Sequence, residues 1–531
     1  MRTETLNTYR FSAMSSTPIA LAILLFLASS VAPAWAVPGD LDPTFGQGGR
    51  VFTTLSVPQF DYFYPNTESM LVQPDGKILV CGRFWEDGVS YWYGTFIVRY
   101  MPDGSLDTSF GDGGKVALIG ADYPYGGDAV GADMVLQQDG KIVLIGQRTI
   151  ADGIIVQRYT ASGTLDTSFG NLGTASIVPG RGFPEGYSLA IQPDGKIVGA
   201  GWEYDSWWDP VNYYDAIVVF RLNTDGSSDT SFGTTGTGVV KIVNGYGQPE
   251  VLVQPDGKIL VAGSLWNPWQ NVPGSALIAR YNPNGTPDQG FGSGGTVTKK
   301  DAYAGYIALQ ADGKILVTGL GPSSIVRLNP DGTPDPDFVP SGQVVPTNAG
   351  LFVTPDGRIV ALGNVQDSTI PNRFSAARLN SNGSMDTGFG VGGYSTFTVT
   401  AGGTNYAYAS DGAVQLDGKI LITGYFGVYY TDSHEKIALL RIEGSNATIP
   451  VSVSGRVTTP EGRGITYAIV TLSDPSGASR VAMANTLGYF RFGNVITGQS
   501  YTLNVRAKRY SFQPKTIQVD EEMRDINFVP N

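Results

Sequence analysis

The side chains that most often perform acid–base or nucleophilic chemistry are scarce in this chain. It has one histidine, His434, and one cysteine, Cys81, among 531 residues. His434 lies in YYTDSHEKIALL with no nucleophile or orienting partner at a recognisable spacing, so we expect a surface histidine. Cys81 ends the strand-like run KILVC, where we expect a small, buried apolar residue.

The sequence also lacks the short motifs that hold metals, phosphates and dinucleotides. There is no CxxC, no HExxH, no P-loop, and no glycine-rich fingerprint between a strand and a helix. We therefore expect no catalytic residue, no metal site and no cofactor. Acidic residues are numerous, and the carboxylate pairs of glycoside hydrolysis stay open because their separations are unknown.

The tryptophans are distributed unevenly. Seven of the eight follow residue 36, in the segments RFWEDGVSYWYG, GWEYDSWWDPVNYYDA and SLWNPWQNVPG. Aromatic rings among acidic and amide side chains suit sugar binding, because rings stack on pyranoses while polar groups bind hydroxyls. The alternative is that these side chains form small cores within long loops. The candidate ligand-binding residues are Trp85, Trp92, Trp202, Tyr204, Trp207, Trp208, Trp266 and Trp269.

A repeat determines the fold that positions these segments. The hairpin LVQPDGKILV at 71–80 is one of seven similar copies, with Asp-Gly in every copy and a mean period of about 57 residues. Between the hairpins, DGSLDTSFG at 103–111 recurs with variations, and LDPTFG at 41–46 is an N-terminal fragment of it. Each repeat contains four short, apolar, β-branched runs separated by turn residues, which predicts four antiparallel strands.

Seven repeats of four strands predict an all-β fold, a seven-bladed β-propeller. The seventh repeat stops after three strands near residue 443, and GRVFTT at 49–54 has the pattern of the missing fourth strand. We therefore expect the N-terminal strand to complete the last blade and remove its free edge. A linear solenoid is the alternative, but it leaves this strand without a role.

One arginine recurs in every third strand. The set is Arg99, Arg158, Arg221, Arg280, Arg327, Arg378 and Arg441. A residue present in every blade usually serves the scaffold, so we expect each arginine to bind a turn carbonyl or an LDTSFG carboxylate between blades. A ring of anion sites is the alternative. We expect the Asp of LDTSFG to cap its turn and the Phe to fill the space between blades.

The strand order places the repeated turns on one face of the propeller and the irregular connections on the other. We define the irregular face as the one bearing the connections between second and third strands and between successive blades. All three tryptophan segments are predicted to lie there. Variable loops on a rigid scaffold commonly carry binding function.

The repeat unit resembles the delta-60 repeat, a bacterial family expected to form β-propellers, over roughly residues 40–445. This resemblance implies a fold and no particular activity. The segment 447–531 resembles the carboxypeptidase regulatory-like domain, a small transthyretin-like β-sandwich. The matching residues are Gly455–Val457, Ala468, Val470, Gly488–Phe490, and Val495 through Gly498 to Tyr501. Such domains are accessories of exported proteins, and the resemblance implies no peptidase.

The first 36 residues are expected to be a signal peptide. Arg2 and Arg10 flank a polar start, an apolar run follows, and Ala34-Trp35-Ala36 fits a cleavage site. An uncleaved anchor is the alternative. Cleavage leaves 33 basic and 46 acidic residues, a net charge of −13, which disfavours nucleic acid. We expect a propeller over 37–446, and a secreted, surface or periplasmic protein with no membrane span after cleavage.

These features favour an exported, non-enzymatic binding protein whose propeller presents a platform for carbohydrate or for a surface or extracellular protein. An extracellular polysaccharide hydrolase or lyase acting on the same face is the alternative. That enzyme would need carboxylate, Tyr, Arg or His side chains near the propeller axis, and an apolar axial mouth would argue against it. A structural cell-surface repeat protein is the baseline.

Overall fold

The structure is a computed structural model. It describes residues 36–55, 63–86, 94–119, 128–148, 153–180, 183–204, 215–267, 272–319, 325–339, 345–367, 370–399, 406–427, 435–444, 451–474, 479–495, 499–519 and 523–530. The expected signal peptide, apart from Ala36, lies outside these residues. The described parts contain strands and turns and no helix, and thus no helix that could span a membrane.

The strands of residues 63–300 form four antiparallel sheets, numbered here as blades in chain order. Blade 1 contains β2 (Phe63–Val72), β3 (Ile78–Glu86), β4 (Gly94–Tyr100) and β5 (Lys115–Ile119). Blade 2 contains β6 (Asp128–Leu136), β7 (Ile142–Arg148), β8 (Ile154–Tyr159) and β9 (Thr174–Ile177). Blade 3 contains β10 (Phe183–Ile191), β11 (Ile197–Tyr204), β12 (Asp215–Leu222) and β13 (Val239–Val243). Blade 4 contains β14 (Gly245–Val253), β15 (Ile259–Asn267), β16 (Val272–Tyr281) and β17 (Thr296–Lys300).

Three further sheets follow. Blade 5 contains β18 (Ile307–Leu309), β19 (Ile315–Thr318) and β20 (Ile325–Leu328). Blade 6 contains β21 (Gly350–Val353), β22 (Ile359–Asp367), β23 (Ile370–Leu379) and β24 (Tyr394–Phe397). Blade 7 contains β25 (Tyr406–Val414), β26 (Ile420–Gly427), β27 (Lys436–Ile442) and, from the N-terminal region, β1 (Arg50–Thr53). A fourth strand of blade 5, which the repeat predicts, is not among the described residues.

The N-terminal strand occupies the outer position of blade 7, as its sequence predicts. β1 pairs antiparallel with β27, with Val51 opposite Leu439. At the inner edge of the same blade, Asp411 accepts a hydrogen bond from Met70 N in blade 1 at 2.7 Å. The first and last sheets of the repeat region are therefore hydrogen-bonded neighbours.

The cores lie between blades. Buried residues of β3 and β4, such as Leu79 and Ile97, pack with Met134 and Ile142 of blade 2. The same arrangement recurs between each pair of consecutive blades, and one cluster joins blade 1 to Leu421 and Leu439 of blade 7. Since each blade needs two neighbours to cover both faces, the repeat buries apolar surface without helices.

The recurrent arginines tie adjacent blades together. Arg99 Nε donates to Asp107 Oδ2 at 2.9 Å, and Arg99 Nη1 donates to Ala161 O of blade 2 at 2.5 Å. Its guanidinium lies 4.4 Å from the ring centre of Phe110. The six other arginines repeat the carboxylate and phenylalanine contacts with minor variations in the donor nitrogen. The structural role expected of this column is confirmed.

The carboxylates of these ties are strongly engaged. Asp107 Oδ1 accepts hydrogen bonds from Ser109 N and Ser109 Oγ, so it caps its turn as predicted. In blade 5, hydrogen bonds from Lys314, then from the Asp337 backbone N–H and from Arg327, lower the pKa of Asp335 to about 2 against the effect of burial. An aspartate held in this way stays ionised through the physiological pH range.

The C-terminal domain is a separate pair of sheets. One contains β28 (Val451–Arg456) and β31 (Tyr489–Val495). The other has the order β30 (Ser479–Met483), β29 (Ile469–Ser473), β32 (Gln499–Arg506), β33 (Lys515–Val519). Val453 and Phe490 of the first sheet share one core with Val470 and Leu503 of the second. Two sheets around a common core form a β-sandwich.

Candidate functional site

The described tryptophans lie at strand ends, whereas the sequence predicted loops. Trp85 is in β3, Trp202 and Tyr204 are in β11, and Trp266 is in β15. Each is within three residues of the strand's C-terminal end, at the irregular face. The side chain of Trp85 lies outside the described parts, as do residues Trp92, Trp207, Trp208 and Trp269 and also His434.

Four aromatic rings form a continuous row across blades 3 and 4, which we call the aromatic row. Tyr204 and Trp202 have ring centres 4.7 Å apart, Trp202 and Tyr246 5.0 Å, and Tyr246 and Trp266 5.0 Å. Trp202 is only 9% exposed, and the other three are half-buried. Trp202 therefore forms the buried base of the row, and its neighbours offer the accessible aromatic surface.

The indole nitrogen of Trp202 is a buried donor, and Trp202 Nε1 makes no hydrogen bond to the residues that the structure describes. A buried N–H group without an acceptor costs about 1–3 kcal/mol, so such groups are rare in folded proteins. This donor belongs to a row that reaches the irregular face.

A cavity of about 420 Å³ lies on the propeller axis. All seven innermost strands or the segments leading into them contribute to its wall, which makes it the central channel of the ring. The wall is polar and includes Glu68, Ser69, Arg83, Asp133, Tyr187, Ser188, Gln248, Glu250, Tyr306, Asn348, Ser410 and Asp411.

β-bulges aim several of these side chains at the axis. The register of β2 with β3 shifts between Thr67 and Ser69, and that of β10 with β11 shifts between Gly186 and Ser188. Glu68 and Tyr187 are the extra residues. A bulge leaves one residue outside the alternation of the strand, so its side chain can turn away from the blade-to-blade core.

The deepest carboxylates in the channel are used by the scaffold. Asp411 accepts a hydrogen bond from Met70 N, Asp133 from Leu189 N at 2.8 Å, and Glu250 from Ile307 N at 2.6 Å. In each pair the donor belongs to the next blade. The innermost strand of a blade has a free edge, and these carboxylates accept its unpaired N–H groups.

Burial makes these carboxyl groups hard to ionise. It raises the pKa of Asp133 to about 6 and that of Asp411 to about 8, although the backbone hydrogen bonds oppose the shift. Burial also raises the pKa of Glu250, to which the neighbouring charges of Asp133 and Asp411 add. The three groups are close enough to repel one another when ionised.

Two polar pairs lie nearer the irregular face, and we call them the mouth residues. Arg83 Nη2 donates to Glu68 Oε1 at 2.9 Å, and Asn66 donates to the same oxygen at 2.9 Å. Tyr187 Oη donates to Glu185 Oε2. Burial, followed by the Glu185 charge, raises the pKa of Tyr187, so its hydroxyl stays protonated.

The mouth residues adjoin the aromatic row. Glu185 is directly opposite Trp202 in the pairing of β10 with β11. Its charge, after burial, also raises the pKa of Tyr204. On the next blade, Tyr246 is the second residue of β14, the strand that contributes Gln248 and Glu250 to the channel. The row and the mouth therefore form one surface of aromatic rings, carboxylates, amides and a phenol, which is the candidate site.

The site shows no arrangement suited to a metal ion. The described residues contain no group of three or more His, Cys, Asp or Glu side chains placed to hold one. Cys81 is fully buried, as expected, and burial raises the pKa of its thiol. It is therefore no candidate for a thiolate ligand or nucleophile.

Sequence reasoning found the tryptophans and missed Tyr246 and every residue of the channel. The sequence does contain a pattern that marks the residues of the channel. The residue four positions before the Gln or Thr that opens each repeated hairpin varies between copies, and it is Ser69, Asp133, Ser188, Glu250, Tyr306, Gly350 and Asp411. A column that is polar in most copies of an otherwise apolar strand indicates the axis.

Comparison with protein families now identifies both parts of the chain. Six segments match "Domain of unknown function (DUF5122) beta-propeller", at residues 73–110, 137–169, 192–232, 254–291, 310–338 and 354–389. Residues 452–529 match "Carboxypeptidase regulatory-like domain". The chain contains a DUF5122 β-propeller and a carboxypeptidase regulatory-like domain. Each DUF5122 segment runs from the first residue of the hairpin turn to the Phe of LDTSFG, and both predicted resemblances are confirmed.

Solved structures similar to this DUF5122 protein are distant. A protein of unknown function from Dyadobacter fermentans is 13% identical with a TM-score of 0.40, covering 76% of this chain and 100% of its own. The polysaccharide lyase Uly1 is 11% identical with a TM-score of 0.38, over 77% and 97%. The α-L-arabinofuranosidase Arb93A from Fusarium graminearum is 13% identical with a TM-score of 0.35, over 74% and 96%. A search of curated proteins finds no match. Similarity this low assigns no activity.

Proposed function

We propose that this protein binds carbohydrate at the irregular face of its propeller, through the aromatic row and the adjoining mouth residues. The observation that carries this proposal is the row itself, four rings in tilted and edge-to-face contact beside a polar channel. The half-buried rings of Tyr204, Tyr246 and Trp266 offer apolar surface to a sugar, while the carboxylates and amides beside them accept and donate hydrogen bonds.

We further propose that the protein is exported and acts at the cell surface, outside the cell or in the periplasm. The support is the charged, apolar and small-residue pattern of the first 36 residues. Mass spectrometry of the protein recovered from its native host tests this, and we expect the chain to begin at Val37. A chain that retains residues 1–36 contradicts cleavage.

Binding without catalysis is favoured because the channel carboxylates are already engaged. Asp133, Glu250 and Asp411 accept backbone hydrogen bonds that join blades, and Arg83 neutralises Glu68. A glycosidase needs one carboxyl group to donate a proton and a second to attack or activate water, both facing the substrate. The engaged groups would lose scaffold contacts in that role.

An extracellular polysaccharide hydrolase is the second candidate, and one observation favours it. The axial mouth is lined by Glu68, Arg83, Glu185 and Tyr187, so the apolar lining that would argue against an enzyme is not found. Incubation with a polysaccharide panel, followed by product analysis, distinguishes the two candidates. Turnover that is abolished in Glu185→Gln would replace the binding proposal with an enzymatic one.

Isothermal titration calorimetry against a panel of oligosaccharides tests binding. We expect a saturable response that Trp266→Ala and Tyr246→Ala each weaken about tenfold, the size of one lost aromatic contact. Tyr489→Ala is the matched control, since Tyr489 is a half-exposed aromatic of the C-terminal domain. Equal affinity in all four proteins would show that the aromatic row serves only to pack the fold. No detectable binding of any oligosaccharide in the panel would favour a protein partner or a structural role.

A further inference from the structure

The electrostatic character of the candidate site is one-sided. Among the described residues at the mouth and in the channel, the acids are Glu68, Asp133, Glu185, Glu250 and Asp411, and the base is Arg83. Arg83 is bound to Glu68 at 2.9 Å, so its charge is largely cancelled there. Burial reduces the negative charge that Asp133, Glu250 and Asp411 carry at neutral pH, and the described residues of the site include no cation other than Arg83.

The larger charge distribution has the same sign. Residues 37–446 carry 24 basic and 40 acidic side chains, a net charge of −16, whereas residues 447–531 carry nine and six, a net charge of +3. The propeller therefore holds all of the excess negative charge of the region after residue 36. A cleft lined by one sign of charge within a body of that sign attracts counter-charged ligands and repels like-charged ones.

Glu185 is the carboxylate best placed to act on a sugar at the aromatic row. It is half-buried, lies opposite Trp202 in the strand pairing, and accepts a hydrogen bond from the Tyr187 hydroxyl at Oε2. A carboxylate has acceptor sites for about four hydrogen bonds, so this contact leaves capacity for further donors. The ring faces of Tyr246 and Trp266 continue outward from it.

We propose that the site selects polymers of amino sugars with free, protonated amino groups and excludes uronate-containing or sulfated polysaccharides. This inference rests on the proposed carbohydrate binding. An ammonium group on a pyranose stacked along the aromatic row forms a charge-assisted hydrogen bond to Glu185, and the aromatic faces also attract it. A sugar carboxylate or sulfate in the same place meets Glu185, and the one cation among the described residues of the site, Arg83, is paired with Glu68.

The charge of the site also matters for the alternative function, that of a polysaccharide lyase. A lyase acting on polyuronates must neutralise the substrate carboxylate before it can remove the adjacent proton, and Arg83 is already paired with Glu68. The charge of the site therefore argues against polyuronates for binding and catalysis alike.

Calorimetry with three oligosaccharides of equal length tests the selectivity in the full mature chain. The probes are glucosamine, N-acetylglucosamine and galacturonate oligomers, measured at low salt and near pH 6, where the free amino groups are largely protonated. We expect glucosamine oligomers to bind at least about tenfold more tightly than N-acetylglucosamine oligomers, the effect of one charge-assisted bond. We expect no detectable galacturonate binding, and a preference that shrinks as salt is raised.

Two variants separate a site effect from a general charge effect. Glu185→Gln keeps the shape and an acceptor for Tyr187, and we expect it to reduce the preference for glucosamine over N-acetylglucosamine oligomers about tenfold. Asp112→Asn removes the same charge from an exposed turn on the opposite face and should preserve the preference. Equal unfolding midpoints in the two variants confirm that both are folded.

The outcomes also separate this inference from the proposed function. Tight binding of neutral or uronate oligomers that is lost in Trp266→Ala, without preference for glucosamine, would overturn the selectivity and keep carbohydrate binding. A preference that Glu185→Gln and Asp112→Asn reduce equally would place the effect in the overall charge and overturn the role of Glu185. The absence of detectable binding to all three oligomers would overturn both proposals.

Discussion

Arg378 differs from the six other arginines of its column. In blades 1 to 5 and in blade 7, the arginine Nη1 donates to a turn carbonyl of the following blade. Arg378 Nη1 is buried and has no hydrogen-bond partner among the residues that the structure describes. The corresponding turn of blade 7 is divided between the chain leaving at Gly444 and the chain entering near Pro38, and neither described part supplies the acceptor that the other blades provide.

The difference predicts unequal costs for the same substitution. Arg327→Ala removes the bond to Ser381 O along with the Asp335 pair, whereas Arg378→Ala removes the Asp386 pair and also an unsatisfied donor. We expect Arg378→Ala to lower the free energy of unfolding by about 1.5 kcal/mol less than Arg327→Ala, the value of one charge-assisted bond. Urea denaturation measures this, and equal losses would contradict the missing acceptor.

At this scale, sequence reasoning succeeds where a residue repeats and fails where it varies. The arginines could be assigned to the scaffold because all seven blades have the same structural requirement, which is to bridge the gap between neighbouring sheets. The column that contains Asp133, Glu250 and Tyr306 indicates the axis, but its chemistry varies between blades and therefore does not reveal which of these side chains interact. Their distances depend on the rotation between blades, which no local sequence pattern specifies.

Among the structural elements, β1 depends most on distant contacts. It is four residues long, and the adjoining segment supplies Asp42 and Phe45 to blade 7. Asp42 Oδ2 accepts from Arg441 Nε at 2.6 Å and from Lys419 Nζ at 2.7 Å. Phe45 is fully buried beneath the Arg441 guanidinium. This N-terminal segment supplies the Asp and Phe contacts to Arg441 of blade 7. In every other blade the Asp and Phe belong to the same continuous repeat as the arginine.

We expect Asp42→Ala to loosen the N-terminal segment as well as destabilise the fold, because a short strand has few other contacts. Loss of one partner from a buried ion pair costs about 3 kcal/mol. Asp107→Ala is the matched control, with the same contacts to Ser109, Arg99 and Lys77 in an unbroken repeat. Hydrogen exchange should show faster exchange at residues 50–53 in Asp42→Ala. The same rates in both variants would contradict the idea that Asp42 anchors β1.

The structure differs from the prediction at the strand ends that contain tryptophans. The sequence predicts that the turn-rich segments around Trp202 and Trp266 are loops from their first aromatic residue. In the structure, β11 and β15 continue through these tryptophans, because each has a paired neighbour across the blade, Glu185 with Trp202 and Asn244 bonded to the Trp266 backbone. Pairing partners some 20 residues away extended the strands beyond the apolar run.

The whole propeller shares one electrostatic feature, the set of buried carboxyl groups on its axis. Their pKa values are raised above the usual value of an aspartate or glutamate, to about 6 for Asp133 and about 8 for Asp411. In the unfolded chain the same groups ionise near pH 4. The stability that they contribute is therefore fully present below pH 4 and is lost as the pH rises through their values in the folded protein.

We expect the free energy of unfolding to fall between pH 6 and pH 9, by up to about 1.4 kcal/mol per pH unit for each titrating carboxyl group. Urea denaturation at pH 6, 7, 8 and 9 measures the slope. Asp411→Asn removes the group whose pKa is raised to about 8 and should flatten the profile above pH 7, while Asp112→Asn should leave the slope unchanged. A wild-type profile that is flat across this range would show that the axial groups remain ionised.

The pairing of β1 with β27 imposes an order on the making of the protein. Blades 1 to 6 consist of consecutive strands, so each can assemble soon after its own residues leave the ribosome or a translocation pore. Residues 50–53 can pair only after residues 436–442 have been synthesised, and nearly the whole propeller lies between these two segments in the sequence. Until then the first-made strand stays unpaired and the ring stays open. Closure is thus a late, long-range event, and such contacts are slow to form.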